Sequence, residues 1–154
     1  MIRTDDMLNG EGLRVVLFVS GCTHQCKGCH NPETWDIDSG IPFTYVEREY
    51  IINELKNDYI DGITLSGGDP LCKNNCKDIL ALIKDIKCIF PNKTIWLYTG
   101  YTLDSIKKNK EKLDIVKLCD VLVEGEFIEE LADVNYPYAG STNQNVIYLN
   151  NINL

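Results

Sequence analysis

Apolar residues along the chain fall into two alternating rhythms. Short runs rich in β-branched residues occupy positions 14–20 (RVVLFVS), 62–66 (GITLS), 94–99 (TIWLYT), 121–124 (VLVE) and 146–149 (VIYL), a length and composition that predict strands. Between them lie longer segments with apolar residues three and four apart. Positions 44–58 carry Val46, Tyr50, Ile51 and Leu55 at helical spacing, and Thr44 with Glu47 three positions on supplies the pair needed for a capping box. Positions 77–90 place Ile79, Leu82, Ile83, Ile86 and Phe90 on one face and stop before Pro91, whose ring disfavours helical backbone in the preceding residue. A shorter, more polar helix is predicted over 103–110, with 113–118 continuing it after a break. The stretch 133–145, with Pro137, Gly140 and Ser141, reads as an ordered loop before the last strand.

Strands alternating with helices predict parallel strands joined by crossover helices, hence an α/β domain. One domain over residues 1–154 accounts for the whole length, which suffices for a self-supporting core but falls short of the roughly 250 residues of a full eight-fold barrel. Acidic residues outnumber basic ones by 23 to 15, a net charge of −8 that argues against a general nucleic-acid binder, because counterion release needs clustered Lys and Arg. The basic run at 107–112 is broken by Glu111 and reads as a solvated helical face. No segment approaches the roughly 20 apolar residues of a membrane span, and Asp5 and Asp6 close behind Arg3 do not form a signal-peptide layout, so a cytoplasmic location is expected. In such a reducing compartment an odd set of seven cysteines points to metal ligands, nucleophiles or buried apolar residues rather than to disulfides.

Three of the seven, Cys22, Cys26 and Cys29, fall within eight residues directly after the first predicted strand. A 4Fe-4S cluster has four iron corners, so three cysteines would leave one iron open to a small molecule. Zinc is the competing reading, with His24 or His30 as fourth ligand. Structural zinc sites usually draw on two separated pairs, however, and no second CxxC occurs. Uncommitted thiols at this density would oxidise readily. A second constellation, Gly67-Gly68-Asp69-Pro70, ends the second predicted strand, where α/β folds bind ligands and glycines let the backbone approach them. Asp69 is expected to orient its own loop through side-chain-to-backbone bonds. Cys72 and Cys76 are too few for a second cluster. Cys88 and Cys119 sit in apolar patterns and read as core, while Trp35 and Trp96 read as packing residues.

Taken together, Cys22-x3-Cys26-x2-Cys29 and Gly67-Gly68-Asp69-Pro70 resemble the radical S-adenosylmethionine superfamily. More closely, the chain is similar to the anaerobic ribonucleoside-triphosphate reductase activating proteins. That likeness is carried by Asn9-Gly10-Glu11-Gly12, by the run from Arg14 to Cys22, by Gly28-Cys29-His30-Asn31-Pro32-Glu33-Thr34-Trp35, by Trp96-Leu97-Tyr98-Thr99-Gly100-Tyr101 and by Gly140-Ser141-Thr142-Asn143-Gln144. The resemblance implies a small partial β/α barrel of the radical S-adenosylmethionine type, open on one side, with mostly parallel strands. It implies that Cys22, Cys26 and Cys29 hold a 4Fe-4S cluster whose fourth iron is chelated by S-adenosylmethionine. Gly67 and Gly68 would meet the amino group of that ligand, the backbone of Gly28, Cys29 and His30 would line its adenine end, and Thr99 would contact its polar half. One-electron cleavage would yield a 5′-deoxyadenosyl radical that takes a hydrogen atom from a glycine of the large catalytic subunit of the reductase, with no side chain acting as acid or base. The implied partners are that subunit and an electron donor such as flavodoxin or ferredoxin, with no nucleic acid and no membrane.

Three positions depart from the pattern. His30 stands where these proteins commonly have tyrosine, Glu11 where they often have proline, and Ala139 where an arginine often precedes Gly-Ser. The alternatives on the sequence alone are an activase of another glycyl-radical enzyme, a small radical synthase, a zinc-bound interaction module and an iron-sulfur electron carrier.

Overall fold

Six strands form an open sheet in sequential order in the computed structural model, which describes residues 1–154. They are β1 (Ile2–Asp6), β2 (Arg14–Val19), β3 (Gly62–Gly67), β4 (Thr94–Thr99), β5 (Val121–Glu124) and β6 (Asn145–Tyr148). The four central strands run parallel, while β1 and β6 pair antiparallel at the two edges. The parallel strands are linked by α1 (Tyr45–Leu55), α2 (Lys73–Ile89), and the pair α3 (Leu103–Lys107) and α4 (Lys110–Val116).

All four helices cover one face of the sheet. Ile51, Ile52 and Leu55 of α1, Ile79, Leu82, Ile83 and Ile86 of α2, Ile106 of α3 and Ile115 and Val116 of α4 join Val15, Leu17, Ile63, Leu65, Ile95, Leu97 and Leu122 in one core. Alternate strand residues point the other way, so Arg14, Thr64, Trp96 and Val123 lie beneath the opposite face. Arg14 is fully buried there and its guanidinium donates to Thr64 Oγ1, Glu11 O, Thr94 Oγ1, Ile63 O and Thr94 O at 2.8–3.0 Å. Five donors therefore meet five acceptors, and burial lowers the Arg14 pKa to about 10 without discharging it at neutral pH.

Several expectations need correction. The strand β1 was not foreseen, since IRTDD has one apolar residue and two terminal acids; backbone bonds between Met1 and Phe18 and its pairing with β2 hold it in place. Although α1 carries the capping box at Thr44 and Glu47, it buries Ile51, Ile52 and Leu55 and leaves Val46 and Tyr50 exposed. The polar first turn Lys73-Asn74-Asn75 starts α2 four residues earlier than its apolar stripe suggested. The break after α3 falls at Lys108 and Asn109, whose side chain caps α4 by accepting from Lys112 N. Finally, Cys88 lies on the solvent side of α2 and is exposed, whereas Cys119 is buried as expected.

Level register brings the carboxyl ends of the parallel strands together. Val19 is opposite Gly67, and Thr99 is opposite Glu124, so the loops that follow β2, β3, β4 and β5 emerge side by side.

Candidate metal and ligand site

The cysteine loop is anchored at its entry by its own return. Gly21 N donates to Thr34 O at 2.7 Å and Cys22 N to Trp35 O at 3.0 Å, closing residues 22–33 into a loop. Inside it, Cys29 N donates to Cys26 O at 3.1 Å, a tight turn that draws those two residues onto one side. The glycine loop is stitched to this one by backbone bonds from Gly68 N to Val19 O at 2.7 Å and from Asp69 N to Gly21 O at 2.8 Å. Asn75, on the first turn of α2, adds a side-chain bridge: its amide nitrogen is 2.9 Å from both Ser20 O and Asp69 O. A Cβ on Gly68 would sit 2.6 Å from Gly21 O and 2.9 Å from Thr34 O, so glycine is required there for two loops to approach.

Above these loops is a cavity of about 590 Å³. Cys22, Cys26, Cys29 and His30 form one side of it, Gly67, Gly68, Asp69 and Thr99 another, and Tyr98, Phe127 and Tyr138 supply aromatic surface. Its volume suits a nucleoside-sized ligand. Gly28 is not part of the lining; it is exposed and abuts the side chain of Glu129. A smaller apolar cavity of 290 Å³ between β1, β2 and α2 is lined by none of the cysteines.

The three thiols share one side of this lining. The half-buried thiols, the adjacent glycine backbone and the cavity volume fit a cluster with a small-molecule ligand beside it.

Carboxylates dominate the local electrostatics. Burial first, and the charge of Asp69 after it, push the Cys22 thiol pKa up against backbone donors at His24 and Gln25. Burial and the charge of Glu126 do the same to Cys26 against a backbone donor at Phe127. Ionising these thiols therefore calls for a cation, which iron supplies. Asp69 is itself almost wholly buried and accepts from Leu71 N at 2.8 Å, from Thr99 Oγ1 at 2.9 Å on both oxygens and from Gly100 N at 3.0 Å. It thus holds its own loop, as expected, and also the end of β4. The Thr99 hydroxyl is occupied by this carboxylate.

His24 lies between two acids. Its Nδ1 is 2.7 Å from Glu126 Oε1, and its Nε2 is 3.0 Å from Asp69 Oδ2 but off the hydrogen-bond line. Asp69 foremost, against burial, and Glu126 in addition raise the His24 pKa. His30 is exposed and packs its ring 5.2 Å from that of Phe127. Of the departures noted above, Glu11 bonds Tyr148 through its side chain and Arg14 through its carbonyl, and Ala139 lines the cavity. Glu126 and Asn75 carried no signal in the sequence, because their partners lie 102 and 55 residues away.

Comparison with known proteins agrees with this geometry. A family model described as a 4Fe-4S single cluster domain matches residues 8–147. The anaerobic ribonucleoside-triphosphate reductase-activating protein of Escherichia coli K12 is 47% identical over 146 residues, covering 94% of each chain. The protein of the same name from Haemophilus influenzae is 45% identical over 90% of each chain, and that of enterobacteria phage T4 is 42% identical over 90% of this chain and 86% of its own.

Proposed function

The chain belongs to the 4Fe-4S single cluster domain family and, within it, to the anaerobic ribonucleoside-triphosphate reductase-activating proteins, and from that premise we propose that it is the activase that installs a glycyl radical on such a reductase. One observation carries the proposal: three thiols and a strand-end glycine pair share the lining of one cavity. On this reading the open sheet is a partial β/α barrel of the radical S-adenosylmethionine type, and residues 1–154 act as one domain.

Cys22, Cys26 and Cys29 would hold the 4Fe-4S cluster, leaving one iron for the amino and carboxylate groups of S-adenosylmethionine. When bound, cluster and ligand would supply the one-electron reductive chemistry that yields a carbon radical able to take a hydrogen atom from the reductase glycine. The protein's own part is position. Gly67 and Gly68 present backbone to the amino end of the ligand, and Cys29 and His30, with Gly28 behind them, border the adenine end. Thr99 contributes through Asp69, which its hydroxyl steadies. Tyr98, whose pKa burial raises, stays protonated and adds no charge to the cavity. No side chain need move a proton.

The open side of the sheet leaves the cavity accessible to a glycine-bearing segment of the large reductase subunit. Electrons would come from a donor such as flavodoxin or ferredoxin in the cytoplasm. No helix is long and apolar enough to cross a membrane.

The test is the electron paramagnetic resonance spectrum of anoxically purified, iron-reconstituted, dithionite-reduced protein, with and without S-adenosylmethionine. A reduced 4Fe-4S signal that changes on adding the ligand is expected, followed by a glycyl radical when reductase is present. A cluster indifferent to the ligand would indicate an electron carrier, and zinc alone would overturn the mechanism.

A further inference from the structure

His24 sits between two proposed cluster ligands in the sequence, and its ring is held in a slot built by three other loops. Asp69, after β3, faces Nε2 at 3.0 Å, and Glu126, after β5, meets Nδ1 at 2.7 Å. The loop after β4 supplies the walls. Tyr101 packs edge-on with its ring centroid 4.5 Å away, and a Cβ on Gly100 would lie 2.6–2.8 Å from three ring atoms, so only glycine lets the imidazole lie flat against that backbone. The side chain is 11% exposed. One ring therefore touches the loops of three strands while belonging to the loop of a fourth.

An open sheet does not by itself fix how those loops sit relative to one another. At the near end, the bonds from Asp69 N to Gly21 O and from Asn75 to Ser20 O attach the cysteine loop to the glycine loop. At the far end the loop meets the segment after β5 through Lys27 with Glu129 and Glu130 and through a Phe127 backbone donor to Cys26, but His24 is the contact that reaches that segment and the glycine loop together. Without it the cysteine loop keeps its entry and its contacts with the segment after β5 but loses the side chain that sets its far part against Asp69. A ligand that must reach both the open iron and the Gly67-Gly68 backbone binds at two points, and its affinity depends on the distance between them being set in advance.

We infer that His24 is a positioning residue: with Asp69 and Glu126 it fixes the cysteine loop against the glycine cradle and so sets the affinity for S-adenosylmethionine. The inference rests on the function proposed above. It predicts that loss of the ring spares the cluster, whose three thiolates remain, and weakens the ligand.

The experiment uses reconstituted, reduced protein titrated with S-adenosylmethionine, read by the change in the cluster's paramagnetic resonance signal, with iron content measured alongside. His24→Ala is expected to keep wild-type iron and to bind the ligand about tenfold more weakly, the scale of one lost charge-assisted contact. His24→Asn, whose amide nitrogen can take the place of Nδ1 opposite Glu126, is expected to recover part of that loss. Wild-type affinity in His24→Ala overturns the inference, as does iron loss in both variants, which would make the ring a folding element of the loop. If wild-type protein shows a cluster but no response to the ligand, the proposed function fails first and this inference with it.

Discussion

The hydroxyl of Thr99 lies 2.9 Å from each oxygen of Asp69, and both residues are buried at the carboxyl end of the sheet. That donor, with Gly100 N beside it, joins the end of β4 to the glycine loop. Thr99→Val keeps the shape and removes the donor, which should lower unfolding free energy by about 1–3 kcal/mol, the usual worth of a hydrogen bond to a charged group, while Leu71 N and Gly100 N still serve the two oxygens. Thr99→Ser should lie closer to wild type. Urea unfolding of the three proteins decides the matter, and equal midpoints for Thr99→Val and wild type would show that the bond contributes nothing.

Gly68 faces the backbone of the cysteine loop rather than open ligand space, since a Cβ would press on Gly21 O and Thr34 O. Gly68→Ala is therefore expected to force the two loops apart and to reduce iron incorporation as well as ligand binding. Iron assay after reconstitution tests this. Full iron retention with weakened ligand binding alone would mean that the residue acts only on the ligand.

Arg14 satisfies five acceptors from three segments of chain, and a lysine offers three donors from a single point. Arg14→Lys keeps the charge but leaves at least two of those acceptors unpaired. A loss of about 2–4 kcal/mol is expected in chemical denaturation. A loss under about 1 kcal/mol would show that water or relaxation replaces the missing donors.

Asp6 provides a pH-dependent contribution to stability. Burial raises its pKa, but donors at Asn9, Leu8 and Arg3 outweigh that and hold the carboxyl below its ordinary range. Because the folded pKa is the lower one, the stabilisation is complete above the unfolded value of about 3.9 and disappears as pH falls through the folded value. The stability gap between wild type and Asp6→Asn should thus be constant near neutrality and close below about pH 4. A gap that persists unchanged at pH 3 would contradict this account.

The sequence was most legible where the fold is most buried. Central parallel strands are covered on both faces and read as continuous apolar runs, so β2 through β5 were placed to within a residue at each end. Edge strand β1 is charged because one side meets water, and nothing in its pattern distinguishes it from a polar tail. The buried face of α1 was misjudged because Val46 and Tyr50 match helical spacing as well as Ile52 does, and only tertiary packing chooses among them. At the site, the thiols and glycines form local motifs that carry their chemistry in their spacing. What binds those motifs together does not. His24 meets a carboxylate 102 residues away and Asn75 a carbonyl 55 residues back, and no periodicity records such a meeting.

Sequential strand order also sets the timing of assembly during synthesis. Each strand pairs with the one made just before it, so the sheet can grow from the amino terminus as chain emerges. The cysteine loop is complete by Trp35, but the partners that hold it arrive later: Gly68 and Asp69, then Asn75, and last Glu126, more than a hundred residues after Cys22. A nascent chain thus exposes three unrestrained thiols for most of its translation. On the proposal above the three thiolates can hold iron before the far attachment forms, so it is the ligand-receiving geometry that waits for the finished chain, and oxidant encountered before iron would find the thiols undefended.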